Sequence, residues 1–400
     1  MQMRGLNSSK RFTRIFRHLH RRTPDNLPKT YPAGQLTFIS EGHKFFSMLF
    51  DAIATSEKYV CLEYYRISAD KTGTRLAEMI LDARKRGVNV YLIYDYFGCL
   101  DTPDSYFRRL KQQGINVLVF NPPSFRRGIN WFDRRDHRKL TIIDGKTAFL
   151  GGRNIGDDYA GTPETPPLFH DVGFTLSGTA VEQLTELFSE VWFMEKGEKP
   201  DFQLLAPHQF DSYQEDEPES VISLVSGGPH QKRSRIRSAF RVAMATASTE
   251  LLIANPYFLP GPLILRSLLK SAKRGVTVRL LLPARSDVPL VRVLSRSTFD
   301  QLLKAGIQIY EMQHQILHAK LMVIDGVRTV MGSANMDYRS FNRNYEINAH
   351  IRSASFGNQV HRHLEQAFSE AHEVRLVDHI RRGVIAKIME RLLRPLRWFL

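Results

Sequence analysis

A chain of 400 residues with 56 Lys and Arg against 41 Asp and Glu carries a formal net charge of +15, and its 42% hydrophobic content is that of a folded protein. The length excludes a small disulfide-stapled scaffold and suits two domains or halves with cores of their own. The excess of positive charge asks for an anionic partner: nucleic acid, a membrane surface or an acidic substrate.

From the N-terminus, residues 1–34 read as a basic arm, with Arg4, Lys10, Arg11, Arg14, Arg17, Arg21 and Arg22 interrupted by Phe12, Ile15, Phe16 and Leu19. The arm lacks the continuous apolar core of a signal peptide. No run of about 18 apolar residues occurs anywhere, so any membrane contact is expected from the surface. Residues 35–195 form the first half. Tyr59 to Tyr65 reads as a buried strand containing Cys61, and Thr74 to Arg86 as an amphipathic helix stopped by Gly87 and feeding a strand from Val88 to Tyr94. Cys99 follows the aromatic stretch Tyr94 to Phe97. Two cysteines are too few for a Cys-based zinc site and too far apart for a C-x-x-C motif; both are expected to be inert, reduced thiols of a cytosolic chain.

A basic cluster, Arg126, Arg127, Arg134, Arg135 and Arg138 with Trp131 and Phe132 between, is expected near a site mouth, where it would steer anionic groups. Residues 196–220 contain Pro200, Pro207, Pro218 and the acidic stretch Glu215 to Glu219, and read as a linker. The second half, 221–372, repeats the helix–Gly–strand pattern at Pro262 to Arg274, Gly275, and Val276 to Leu282. Alternating helices and strands argue for α/β layers. Residues 373–400 form a basic amphipathic tail, with Val384, Ile385, Ile388, Leu392 and Leu396 near one helical face, Arg382, Lys387, Arg391, Arg394 and Arg397 around it, and Trp398, Phe399 and Leu400 at the tip.

The two halves are copies of one unit. DARKRGVNVYLIY from Asp82 matches KSAKRGVTVRLLL from Lys270, and HRKLTIIDGKTAFLGGRN from His137 matches HAKLMVIDGVRTVMGSAN from His318, 181 residues on throughout. Each copy therefore carries H-x-K-x4-D followed by a small-residue pair and Asn: His137, Lys139, Asp144, Gly151, Gly152 and Asn154, then His318, Lys320, Asp325, Gly332, Ser333 and Asn335. On a strand, residues two apart share a face, so each His and Lys should project together. A turn at Asp144-Gly145 or Asp325-Gly326 should then start a second strand, Thr147 to Leu150 or Arg328 to Met331.

Two imidazoles, two ammonium groups and two amides suit phosphoryl transfer. One imidazole can attack phosphorus, the other can protonate the departing alkoxide and deprotonate the next nucleophile, and Lys and Asn can hold the non-bridging oxygens. That inventory needs no metal and no cofactor. Asp144 and Asp325 belong to the catalytic motif, but their place at a turn gives them a structural role in holding it.

The duplicated motif resembles the phospholipase D superfamily. LEYYRISADKTGTRLAEMILDARKRGV, GGRNIGDDY and NPYFLPG further resemble bacterial cardiolipin synthases, over roughly residues 35–372 and in a shorter form without N-terminal membrane helices. The resemblance implies two homologous α/β halves, each a mixed sheet flanked by helices, related by a pseudo-twofold axis that brings the motifs together. It also implies a phosphatidyl-histidine intermediate, with His137 as nucleophile, His318 as acid and base, and Lys139, Lys320, Asn154 and Asn335 on the phosphate. The internal symmetry alone does not order the two histidines.

A nucleophilic imidazole needs an acceptor on its other nitrogen, and superfamily members place acidic residues after the motif for that role. Asp171 in FHDVGF after the first motif and Glu346 in NYEINAH after the second stand at similar distances from their own histidines. Asp136, next to His137, is a weaker candidate. The resemblance implies a transfer in which one phosphatidylglycerol gives its phosphatidyl group to another and glycerol leaves. Other alcohol acceptors, hydrolysis, and nuclease action within the same superfamily are the alternatives. The apolar residues of both termini favour an anionic phospholipid membrane over nucleic acid, whose nonspecific binding needs only charge. The expected location is peripheral, on the cytoplasmic face of a bacterial cell membrane.

Overall fold

The computed structural model describes residues 29–124, 130–196, 220–231 and 233–398. The basic arm up to residue 28, Arg126 and Arg127, most of the expected linker and the last two residues of the tail lie outside them. The chain divides into two compact units: Tyr31–Ile222 together with Arg343–Ile347, and a second containing Ser223–Asn342 and Asn348–Leu400.

The first unit is built on a seven-stranded mixed sheet. Its strands are β1 (Leu36–Ile39), β2 (Tyr59–Tyr64), β3 (Asn89–Asp95), β4 (Asn116–Phe120), β5 (Lys139–Ile143), β6 (Thr147–Gly151) and β7 (Gly173–Ser177), in the order β1-β7-β6-β5-β2-β3-β4. β2, β3 and β4 pair in parallel; β5 runs antiparallel to β2, and β6 and β7 continue as an antiparallel meander. The central strands are near-continuous apolar runs because they are covered on both faces: all six residues of β2 are buried. Helices α1 (Gly42–Ala54), α2 (Lys71–Lys85), α3 (Asp104–Gln112) and α4 (Ala180–Lys196) belong to this unit, and Leu49, Leu76, Leu110, Phe188 and Trp192 are among its buried side chains.

The second unit uses the same plan. Its strands β8 (Glu250–Ala254), β9 (Thr277–Pro283), β10 (Gln308–Met312), β11 (Leu321–Ile324), β12 (Arg328–Gly332) and β13 (Glu346–Arg352) lie in the order β13-β12-β11-β8-β9-β10, matching β7-β6-β5-β2-β3-β4 strand for strand and direction for direction. Helices α5 (Arg235–Thr246), α6 (Pro262–Lys273) and α7 (Ala354–Ser369) belong with it, and its core joins Phe240, Leu251, Ile253, Leu268, Leu280 and Ile324.

The helix stops are local chemistry. Gly87 and Gly275 take left-handed φ angles of 95° and 85° just past their helices. Their N–H groups, and those of Val88 and Val276, close on carbonyls of the last helical turn. α2 begins at Lys71, three residues before the expected start, because the Asp70 side chain caps it by accepting the N–H of Gly73. The two Asp-Gly turns have both central residues left-handed, φ 53° and 69° at Asp144-Gly145 and 52° and 67° at Asp325-Gly326. That is the geometry of a tight hairpin whose twist matches its strands.

Past α7 the chain forms α8 (Leu376–Arg381), α9 (Val384–Leu393) and a 3-10 turn over Arg394–Trp398. One side of α9 is anchored: Leu393 packs on Leu259, Val291 and Leu294, and Glu390 is ion-paired with Arg382 at 2.5 Å. The other side leaves Ile388, Met389 and Leu392 exposed, with Leu392 at 68%, and Val377 and Ile380 of α8 and Leu396 are exposed as well. Among the described residues no helix is long and apolar enough to cross a membrane.

Candidate active site

His137 stands just before β5, so it is held by backbone contacts at a strand entrance and not within the strand itself. Its N–H donates to the carbonyl of Tyr345 at 2.9 Å, while the N–H of Tyr345 donates to the carbonyl of Arg135 at 2.8 Å. Because Arg343–Ile347 belongs to the first unit, these contacts are internal to it. They also bring up Glu346. His137 Nδ1 lies 3.0 and 3.1 Å from the two carboxylate oxygens of Glu346, a side chain with no exposure. An ionised carboxylate only accepts, so Nδ1 carries the proton and Nε2 keeps its lone pair. This corrects the expected pairing of each histidine with the acid that follows its own motif: Glu346, after the second motif, holds the first histidine. Spacing could not show this, since the exchange is made by residues 209 positions apart.

Asp171 is buried and accepts the N–H of Val172 at 2.7 Å. A Cβ on Gly152 would stand 2.4 Å from Asp171 Oδ1, so the small residue of the motif is what gives that carboxylate its place. The Arg153 guanidinium, buried below, donates to the carbonyls of Ile39, Ser40 and Asp171. Burial pulls its pKa down to about 10, with Asp171 and Glu41 acting against that shift.

The motif lysines are nearly inaccessible, and each turns back on its own histidine. Lys139 Nζ donates to the carbonyl of His137 at 2.7 Å and lies 5.2 Å from the ring centre of Tyr65. Lys320 Nζ donates to the carbonyl of His318 and lies 2.9 Å from His318 Nδ1. An ammonium group can only donate, so in that contact Nδ1 accepts and the proton of His318 sits on Nε2. Asn154 is buried, accepting the N–H of Arg66 at 3.3 Å and donating to the Tyr159 hydroxyl at 2.8 Å. Asn335 is buried too, and its N–H donates to Ser340 Oγ at 3.1 Å.

The motif aspartates stand at the far ends of their strands. Asp144 accepts the N–H groups of Glu57, Lys58 and Tyr59 at 2.7–2.9 Å; Asp325 accepts those of Ser248, Thr249 and Glu250. With five residues at roughly 3.3 Å each between Lys139 and the turn, Asp144 is far from His137. Its carboxylate ties the hairpin to the start of β2, and Asp325 does the same for β8.

Other expectations are revised. Arg135 and Arg138 are not part of an exposed basic patch: they are buried, ion-paired with Asp95 at 3.1 Å and Glu63 at 3.4 Å. Asp136 does not serve His137 either. Its buried carboxylate accepts the N–H of Arg138. Both cysteines are buried; burial pushes Cys61 well above the ordinary thiol range and Cys99 to about 12. Glu250, His361 and Glu365 form a group of the right size for a cation, but Arg279 lies between the carboxylates and donates to both.

The profile of the family described as "Cardiolipin synthase, PLD-like domain" matches residues 49–192 and 241–371. The chain belongs to that family. It is 33% identical over 368 residues to the cardiolipin synthase of Geobacillus thermodenitrificans, covering 91% of this chain and 72% of the relative. With cardiolipin synthase 2 of Bacillus anthracis the identity is 33% over 362 residues, 90% of this chain and 70% of the relative. Among solved structures, a phosphatidylserine synthase from Haemophilus influenzae superposes with a TM-score of 0.74 at 11% identity, covering 98% of this chain and all of that one, which shows the shared fold.

In this member of the cardiolipin synthase family the motif reading missed the surroundings of the first histidine. The Tyr65 ring meets that of His137 edge-on, 5.1 Å between centroids, and its centre lies 5.2 Å from the Lys139 ammonium, so one ring neighbours both motif side chains. Glu63 and Asp95 were hidden in apolar strands, where a single acid reads as a stray. An ionisable residue in a strand buried on both faces is itself the signal.

Proposed function

We propose that the chain is a phosphatidyltransferase that makes cardiolipin from two molecules of phosphatidylglycerol. His137 Nε2 attacks the phosphorus of the first lipid and forms a P–N bond. The P–O bond to the terminal glycerol breaks, and His318 gives that oxygen its proton. A hydroxyl of the second phosphatidylglycerol then passes its proton to His318 while its oxygen attacks phosphorus, the P–N bond breaks, and cardiolipin leaves. The contact between His137 Nδ1 and Glu346 carries the reading, because it leaves Nε2 as the nucleophilic nitrogen and stabilises the imidazolium formed on attack. The ammonium of Lys320 on His318 Nδ1 supports the opposite role for the second histidine, because its proton passes to Nδ1 as the Nε2 proton goes to the leaving oxygen, and returns when Nε2 takes the proton of the incoming hydroxyl. Lys139, Lys320, Asn154 and Asn335 are assigned to the phosphate oxygens.

The domain reading that goes with this function is an arm (1–34), two catalytic halves (35–195 and 221–372), a linker between them, and a tail from residue 373 that rests on the bilayer. The exposed apolar side chains of α8 and α9, with Arg375, Arg381 and Arg397 nearby in sequence, support peripheral binding to the cytoplasmic face of an anionic membrane. Incubation with radiolabelled phosphatidylglycerol vesicles tests the reaction. Cardiolipin and free glycerol are expected, and both must vanish in His137→Ala and in His318→Ala. Phosphatidic acid as the sole product would make the chain a hydrolase, and cleavage of oligonucleotides without lipid turnover would make it a nuclease.

A further inference from the structure

Five ionisable side chains are buried around the backbone that carries His137: Glu63, Asp95, Arg135, Asp136 and Arg138. The register of the two sheets shows what the second copy places at the same positions. Glu63 pairs with Ile93 and Leu140 as Ala254 pairs with Leu281 and Leu321. Asp95 ends β3 opposite Phe120 as Pro283 ends β9 opposite Met312. Along the repeated motif, Ile316, Leu317 and Ala319 stand where Arg135, Asp136 and Arg138 do. All five charged or acidic residues thus have apolar counterparts in a unit with the same strands. The fold does not require them, and removing such groups from water is costly.

Their contacts converge on the segment leading to His137. Arg135 Nη1 donates to Asp95 Oδ1 at 3.1 Å, and Asp95 Oδ2 accepts the N–H of Asp136 at 2.8 Å. Arg138 Nη1 donates to Glu63 Oε1 at 3.4 Å and to the carbonyl of Leu187 at 3.1 Å, with its guanidinium 5.7 Å from the ring centre of Tyr345. Two buried oxygens remain without a donor, Glu63 Oε2 and Asp136 Oδ2, and these two carboxyl groups adjoin one another. Two carboxylates in such contact are compatible only if one holds a proton. The charges agree: Asp95 is matched by Arg135, but Glu63 and Asp136 together face one cation, Arg138. The further groups acting on the pair include Glu190 on the Glu63 side, Tyr345 under Arg138, and Asp95 beside Asp136, whose own carboxyl burial raises to about 7 against the pull of Arg135. Burial raises both carboxyl groups, which favours keeping the proton.

We propose that Glu63 and Asp136, joined by one shared proton and closed by Arg138, are positioning residues that fix the backbone at His137 so that its Nε2 meets the substrate phosphorus. The claim rests on the phosphatidyl transfer assigned above. Neither residue touches substrate. Losing the shared proton at alkaline pH leaves an unmatched buried charge directly before the nucleophile, so catalysis should fall there.

The test uses the full chain on phosphatidylglycerol vesicles, comparing wild type with Asp136→Ala, Asp136→Asn and the triple variant Glu63→Ala, Asp136→Leu, Arg138→Ala, which installs the residues of the second copy. Asp136→Ala and the triple variant should lose roughly 100-fold in kcat with KM little changed, the cost of a small misplacement of a reacting group. Asp136→Asn, whose amide supplies the hydrogen that the proton supplied, should recover most of kcat and shrink the alkaline fall to the part set by His318 as the acid. Wild-type kcat in the triple variant, a loss confined to KM, or an unaltered alkaline fall in Asp136→Asn would each overturn the proposal. If the alanine variants do not fold, the near-isosteric Asn variant still decides through its pH profile. The His137 ring signal, followed by NMR with 13C-labelled histidine, separates this proposal from the transfer reading. Wild type that makes no cardiolipin defeats the reaction, whereas a His137 signal indifferent to Asp136→Ala defeats the positioning role whatever the reaction is.

Discussion

His137 and Glu346 are 209 residues apart in sequence and 3.0 Å apart in the fold, joined through Nδ1 and a carboxylate that has no solvent exposure. The contact fixes the tautomer of His137. Glu346→Gln keeps the shape but can present its amide N–H to Nδ1, which turns the lone pair away from phosphorus. A fall in kcat on the order of 10²–10⁴-fold is expected, with vesicle binding unchanged. Steady-state rates and sedimentation on the same vesicles check both parts.

Gly152 has no room for a side chain, since a Cβ would lie 2.4 and 2.6 Å from the two carboxylate oxygens of Asp171. Gly152→Ala should displace that carboxylate and lower activity more than it lowers the melting temperature. A variant with wild-type turnover would show that Asp171 is not needed where it stands.

Asp325 links stability to acid. Burial raises its carboxyl pKa, but the N–H groups of Thr249, Glu250 and Ser248 outweigh burial and leave it below the ordinary value of 3.8. Its contribution is therefore complete above the unfolded value and is lost as pH falls through the folded one. Asp325→Asn should lower the urea midpoint at pH 6 and narrow its difference from wild type at pH 3. Equal differences at both values would contradict the assignment.

The exposed face of α9 gives a membrane prediction. Ile388→Asp with Leu392→Asp should weaken sedimentation with anionic liposomes several-fold while leaving the melting temperature within a degree or two, because both side chains are already in solvent. Undiminished sedimentation would remove α9 from the docking surface.

The thiols should be silent. Cys99 is buried, accepts the N–H of Ile67 and has its pKa pushed to about 12, mainly by burial, and Cys61 is buried within β2. Neither should react with a thiol reagent in the native state, and both should react in denaturant.

What could be read from the chain followed from local chemistry. The Gly87 and Gly275 helix stops, the Asp-Gly hairpins and the paired His-x-Lys segments depend on neighbours in sequence, and the duplication showed each of them twice. The exchange of Glu346 onto His137 was not legible, because similar spacing after each motif made the wrong pairing look symmetrical. Arg135 and Arg138 were misread for a related reason. Composition sees a run of arginines, whereas their environment is set by Glu63 and Asp95 on strands far away in sequence. Copy-to-copy comparison locates the difference once the registers are known, since only the first copy has an ionic lining there.

The five residues Arg343–Ile347 have a consequence for inheritance as well as for chemistry. A gene cut between the copies would yield a first-copy product that retains His137 and Lys139 but lacks the carboxylate that holds His137 Nδ1, because that acid is encoded in the other fragment. Duplicated halves joined in this way cannot drift apart into two independent catalysts. A lineage that lost either fragment would lose the reaction, and selection therefore acts on the pair as one heritable unit.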